Sequence, residues 1–158
     1  MHSDEHTIAP RRIHRKHKPR AKQTLTRKLT GNILVVDDSS DGRAVISGVL
    51  RCIGFTVETA DNGMEACQRA LAALAQGQPF DLIMMDMQMP VMDGYAATTR
   101  LRELGYSHRI AALSNEGASE ECFSAGCDDF ANKPITFRML SDLAKRNLPS
   151  SSTIQSQR

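Results

Sequence analysis

Asp37, Asp38, Asp86, Ser114 and Lys133 each end or follow a short apolar run, and together they could do chemistry that none could do alone. Three carboxylates gathered in one place repel one another, and each is driven toward its neutral form unless a cation offsets the charge. A hard divalent ion is the simplest remedy. Mg2+ takes oxygen ligands octahedrally, keeps several waters, and binds through one or two carboxylates plus phosphate oxygens. No histidine stands among these residues, which argues against zinc. Lys133 adds a point charge able to pair with a carboxylate or a phosphoryl oxygen, and Ser114 adds a hydroxyl donor. An ionised carboxylate nucleophile, an oxygen-liganded metal, a lysine and a hydroxyl suffice for phosphoryl transfer, with Asp86 as the expected acceptor. The motifs of competing chemistries, GxxxxGK[ST], GxSxG and GxGxxG, are absent. The plainer alternative for Asp37-Asp38 is an ordinary polar strand end.

These residues need elements that bring them to one rim. Residues 32–36 form a short β-branched run without polar alternation, the pattern of a strand covered on both faces, and it stops at Asp37-Asp38-Ser39. From Gly42 to Ile53, Ala44, Val45, Val49, Leu50 and Ile53 recur at helical spacing, and Gly54 is a C-terminal stop. Phe55 to Thr59 reads as a second strand. Asn62-Gly63 opens a helix carrying Met64, Cys67, Leu71, Leu74 and Ala75. The third strand runs from Phe80 to Asp86, followed by a loop to Gly94 and a helix to about Leu104. Arg109 to Ser114 is the fourth strand, Ser119 to Ala125 a short helix, Asp129 to Asn132 a weak fifth strand, and Thr136 to Asn147 the last helix. Strand and helix thus alternate five times, which calls for a parallel sheet with helices on both faces. Ligands of such sheets bind outside the carboxyl ends of the strands, where all five residues fall.

At 158 residues the chain is expected to hold one globular unit, bounded at residues 31–148. Residues 1–30 carry nine Lys or Arg against Asp4 and Glu5, while the remainder carries eleven basic and sixteen acidic side chains. This basic segment has too few large apolar residues to offset the entropy of ordering and reads as a disordered tail or linker. Nucleic-acid contact through it is the lesser reading, because no aromatics interleave the charges. Residues 149–158 read as a second disordered tail. No apolar stretch reaches membrane-span length and the N-terminus is polar, so a cytoplasmic protein without membrane contact is expected. Cys52, Cys67, Cys122 and Cys127 show no ligand-like spacing and are expected to be inert. Asp93, before Gly94, suits a turn or helix cap, and the methionines around Asp86 suit core and loop filling.

Four blocks in order at the expected strand ends carry a family likeness: Val-Val-Asp37-Asp38-Ser, Asp81-Leu-Ile-Met-Met-Asp86-Met-Gln-Met-Pro90-Val-Met-Asp93-Gly94, Ala-Leu-Ser114, and Phe130-Ala-Asn-Lys133-Pro134-Ile. Over about residues 31 to 148 the chain resembles the receiver domains of two-component response regulators, and the middle block most resembles receivers attached to hybrid histidine kinases. The resemblance implies a flavodoxin-like (βα)5 fold with strand order 2-1-3-4-5. It implies that Asp86 takes a phosphoryl group from a histidine kinase or histidine phosphotransfer protein. Asp38 and Asp86 would bind Mg2+ directly, Asp37 through water and Gln88 through its backbone carbonyl. Ser114 would be the switch hydroxyl, Phe130 the switch aromatic, and Lys133-Pro134 a cis bond. Such a domain is a signalling protein that promotes only its own phosphorylation and dephosphorylation, and its output would reach a downstream protein through the face formed by the fourth helix, fifth strand and fifth helix. Two departures stand out: Asn115 follows Ser114 where the family commonly has a small residue, and the interval to Lys133 is roughly three residues short. Asn115 is expected to narrow access to the phosphoryl group or to hydrogen-bond it. A receiver-like interaction module that takes no phosphate is the rival reading, and a nucleotide or flavin binder lacks its glycine-rich loop.

Overall fold

The computed structural model describes residues 29–115 and 117–148. The expected tails at 1–30 and 149–158 lie outside these residues, apart from Leu29 and Thr30. The strands are β1 (Asn32–Val36), β2 (Thr56–Ala60), β3 (Leu82–Asp86), β4 (Arg109–Ser114) and β5 (Asp129–Asn132), and the helices α1 (Ser40–Ile53), α2 (Gly63–Ala75), α3 (Gly94–Glu103), α4 (Ser119–Ala125) and α5 (Phe137–Asn147) alternate with them. All neighbouring strands pair in parallel, in the order β2-β1-β3-β4-β5. This is the flavodoxin-like (βα)5 arrangement. No helix among the described residues is long and apolar enough to cross a membrane.

Alternation along each strand divides the core into two layers. Ile33, Val35, Leu82, Met84, Ala111 and Leu113 face a layer completed by Ile46, Leu50, Leu140, Leu143 and Ala144 from α1 and α5. Leu34, Val36, Ile83, Met85, Ile110 and Ala112 face the opposite layer, completed by Ala66, Cys67, Ala70, Ala97, Leu101 and Cys122 from α2, α3 and α4. With helices on both sides the inner strands β1, β3 and β4 carry unbroken apolar runs, whereas the edge strand β2 keeps Thr56 and Glu58 exposed. The polar residues are pushed to the strand ends.

Each longer helix starts at a side chain that accepts an otherwise orphaned backbone N–H. Ser39 Oγ accepts from Gly42 N at 3.1 Å, Asn62 Oδ1 from Glu65 N at 2.9 Å, Asp93 Oδ1 from Ala96 N at 2.8 Å, and Thr136 Oγ1 from Met139 N at 3.2 Å. Asp93 is therefore a cap, as its sequence context suggested. Because Ser39 caps it, α1 begins at Ser40 rather than at Gly42. Its inward face is also rotated from the expected one: Ile46, Ser47 and Leu50 are buried, whereas Ala44 is exposed and Val45 is 65% exposed. Phe55 is spent on closing α1, with its N–H on Leu50 O at 3.1 Å, so β2 starts one residue later than expected. Residue Phe80 stays in the core but precedes β3, because Asp81 turns back to take the Asn32 N–H on its carboxylate at 2.8 Å. Three of the four cysteines, Cys67, Cys122 and Cys127, are buried, and all four are free thiols.

One glycine sets how closely the loop after β3 lies against α3. A Cβ at Gly94 would collide with the Asp86 carbonyl oxygen and stand 2.7 Å from Met87 Cα, both rigid backbone atoms. Gly94→Ala is expected to cost about 2–4 kcal/mol of unfolding free energy in urea titration, since backbone on both sides must move. A loss below about 1 kcal/mol would show that the loop is not held by this contact.

Candidate functional site

Chain direction brings the ends of β1, β3, β4 and β5 to the same edge of the sheet, and the expected residues lie there together. One ligand atom from each of Asp37, Asp38 and Asp86 falls within 4.8 Å of the others. Asp37 and Asp86 are 5% and 3% exposed, while Asp38 faces solvent. Lys133, two-thirds buried, places Nζ 2.9 Å from Asp86 Oδ2 and 3.8 Å from Asp37 Oδ2. A single ammonium thus stands against two nearly buried carboxylates, with a third beside them. That shortfall of positive charge is what a divalent cation would correct, and the all-oxygen donor set suits Mg2+ rather than zinc.

The carboxylates are held as firmly as the strands that carry them. Asp37 Oδ1 accepts the Ser39 N–H at 2.8 Å, and Asp86 Oδ1 accepts the Gln88 N–H at 3.0 Å. Arg43 Nη1 donates to the Asp37 carbonyl at 2.6 Å, and a Cβ on Gly42 would stand 3.1 Å from Asp37 Oδ2. Neither Arg43 nor Gly42 was singled out from sequence; the only available signal was their place on the first turn of the helix after Asp37-Asp38. Lys133 is anchored by its own N–H on the Ser114 carbonyl at 2.8 Å, which ties β5 to β4 beside the site. The Lys133-Pro134 bond is cis.

Ser114 is 2% exposed, and its Oγ has no hydrogen-bond partner among the described residues. A buried hydroxyl left unpartnered at the rim is a donor waiting for an acceptor, since leaving it unmade costs more than a typical bond returns. Phe130 is half-buried and meets Phe123 of α4 edge-on, with ring centroids 5.7 Å apart. Asn115, expected to narrow the site, turns to Gln88: its Nδ2 donates to Gln88 Oε1 at 2.7 Å. The open cleft of about 530 Å³ over the carboxylates has a polar floor and an apolar wall of Val45, Ile46, Pro134 and Ile135, which sequence reading had assigned elsewhere or not at all.

Burial pushes the Asp37 carboxyl above its ordinary value of 3.8; the Ser39 N–H and Lys133 pull it down, and the charges of Asp86 and Asp38 push it further up. With a folded-state pKa above the unfolded one, Asp37 contributes stability that is fully present below 3.8 and lost as pH rises through the raised value. In metal-free buffer at pH 7, Asp37→Asn is therefore expected to raise the thermal midpoint by a few degrees, and the gain should shrink as pH falls toward 3.8. A variant no more stable than the parent at pH 7 would mean that Lys133 fully compensates the buried charge.

Matches to known proteins span most of the described residues. The family model of the response regulator receiver domain matches residues 33–145. Two-component response regulator 24 of Arabidopsis thaliana is 41% identical over 124 residues, spanning 76% of this chain and 85% of that protein. Hybrid signal transduction histidine kinase E of Dictyostelium discoideum is 39% identical over 119 residues, 70% of this chain but 7% of that protein. Among solved structures, the chemotaxis protein CheY4 of Vibrio cholerae superposes with a TM-score of 0.67 at 32% identity, covering 76% of this chain and all of that one (100%). The receiver domain of sensor histidine kinase PA1611 from Pseudomonas aeruginosa, with a magnesium ion coordinated in its active-site cleft, gives a TM-score of 0.65 at 33% identity over 75% of this chain and 98% of that one.

Proposed function

Because this chain belongs to the response regulator receiver family of two-component systems, we propose that it takes a phosphoryl group onto Asp86 from a histidine kinase or histidine phosphotransfer protein and changes its partner binding in response. The observation that carries the proposal is the placement of Lys133 Nζ 2.9 Å from a nearly buried Asp86 whose neighbours Asp37 and Asp38 complete an oxygen donor set. Asp38 and Asp86 would hold Mg2+ directly, Asp37 through water, and Gln88 through its backbone carbonyl. The ion would neutralise charge on the phosphoryl oxygens.

The protein's own residues account for the rest. Asp86 needs no base, since it reacts as a carboxylate: its oxygen bonds to phosphorus as the bond from phosphorus to the donor imidazole breaks. Lys133, paired with Asp86 before reaction, is placed to pair with a phosphoryl oxygen afterwards, so the added charge meets a cation already in position. The unpartnered Ser114 hydroxyl supplies a donor to a second phosphoryl oxygen. The resemblance assigns Phe130 to respond with Ser114, and its contact with Phe123 links β5 to α4. In this way a local charge becomes a change of packing on the α4-β5-α5 face, where a downstream protein would bind. In this reading the domain would promote only its own phosphorylation and dephosphorylation, and its setting would be the cytoplasm.

A receiver-like module that takes no phosphate is the second reading, favoured by the side-chain bond between Gln88 and Asn115 beside the site. Incubation with Mg2+ and acetyl phosphate separates the two. The expected outcome is a gain of one phosphoryl mass in the intact protein, abolished in Asp86→Asn and by chelation of the metal. An unmodified parent protein, with partner binding indifferent to Asp86→Asn, would establish the second reading.

A further inference from the structure

Basic and acidic residues are divided along this chain. Six of the ten residues from Arg11 to Arg20 are Lys or Arg, and Ile13 is the one aliphatic residue among them. The cleft over Asp86 has the opposite sign: Asp37, Asp38, Asp41 and Asp86 line it against Lys133 alone. Four carboxylates against one ammonium exceed what a single divalent ion neutralises. Beside them stands the apolar wall, in which Val45 is 65% exposed. A cleft lined by one sign of charge and walled by apolar groups concentrates the opposite charge.

The basic segment joins the domain on the same side of the sheet as this cleft. Leu29 packs against the core layer completed by α1 and α5, to which Ile46 of the cleft wall belongs and against which Ile135 also packs. From there the rim is one strand away, since β1 has five residues and spans about 17 Å. Arg15 precedes Leu29 by 14 positions. A chain of that length without regular structure spans about 20 Å. A tether whose reach matches the gap holds its cargo near the greatest effective concentration, on the order of millimolar.

We propose that residues 11–20 dock in the cleft over Asp86 of the same chain, with arginines and lysines against Asp38 and Asp41 and Ile13 against the wall of Val45 and Ile135. The docked segment competes with Mg2+ and with an incoming phosphoryl donor. Docking itself rests on charge and reach; its effect on phosphorylation rests on the reading of Asp86 as phosphoacceptor. A guanidinium or ammonium neutralises the carboxylates that the metal would bind, so whichever cation holds them disfavours the other. Exposed ion pairs are individually weak, so the contact is reversible, and a partner that binds the basic segment would open the cleft. Residues 11–20 precede the span 33–145 shared with the family, so the device is one that the shared domain does not contain.

The test treats the full chain with a water-soluble carbodiimide, which joins an ammonium to a carboxylate in contact with it, and maps the links by mass spectrometry. Links from Lys16 or Lys18 to Asp38 or Asp41 within one molecule are expected at low salt and should be lost at about 0.5 M NaCl, where screening is strong. Calorimetric titration with Mg2+ then compares the parent with a variant combining R11Q, R12Q, R15Q, K16Q, K18Q and R20Q. At low salt the dissociation constant is expected to fall about two- to tenfold in the variant, and the difference should close at high salt. Links elsewhere, links only between molecules, or a Mg2+ affinity that the substitutions leave unchanged would overturn the docking. Failure of both proteins to take phosphate from acetyl phosphate would overturn the reading of Asp86 instead, with the links still deciding the docking.

Discussion

Two carboxylates at the ends of β1 and β3 are almost wholly withdrawn from water, and one lysine faces both of them. Burying ionised groups is costly unless charge and hydrogen bonds compensate. Here the compensation is local and incomplete: one ammonium, one backbone N–H for each carboxylate, and a third carboxylate alongside. Much of the molecule can be understood as the framework that holds this unfavourable group together. The sheet is apolar on both faces, so the carboxylates cannot retreat into it, and the helices are capped at the same edge by Ser39 and Asp93, so the loops cannot drift from it. A site left short of positive charge is suited to take up a cation, which would in turn offset the negative charge of a phosphoryl group.

The residues proposed to carry the response are neighbours of Asp86. Ser114 carries a buried hydroxyl without a partner, and Phe130 lies half-buried against Phe123. Between them runs the short α4 of seven residues, without a side-chain cap. A helix of two turns has little hydrogen bonding of its own and depends on packing, chiefly the buried Cys122, for its position. Its Phe123 nevertheless meets Phe130 of β5 edge-on.

The alternation of strand and helix was legible throughout, because a strand covered on both faces must be continuously apolar and must end in something polar. For the same reason Asp37, Asp38, Asp86, Ser114 and Lys133 could be recognised as one group across nearly a hundred positions. Less legible were the facings of α1. Val45 and Ile46 are both aliphatic, and apolarity alone did not tell which turns inward; the place of Ile46 and Leu50 in the core layer shared with α5 decides it. The ends of β2 and β3 slipped by a residue or two because Phe55 and Phe80 are apolar but lie in turns, where burial and strand pairing part company.

By itself the sequence determined which chemistry was available: a carboxylate acceptor, oxygen ligands for a hard metal, a cation and a hydroxyl, placed at strand ends by the period of the apolar residues. Tertiary structure alone decided the distances and the pairings. That Lys133 meets Asp86 closely and Asp37 less so depends on the register of β5 against β4. That Asn115 binds Gln88 depends on how two loops from different strands approach, which no local pattern encodes. Side-chain type is a property of the chain, but the direction a side chain takes among competing partners is fixed only when the packing around it is complete.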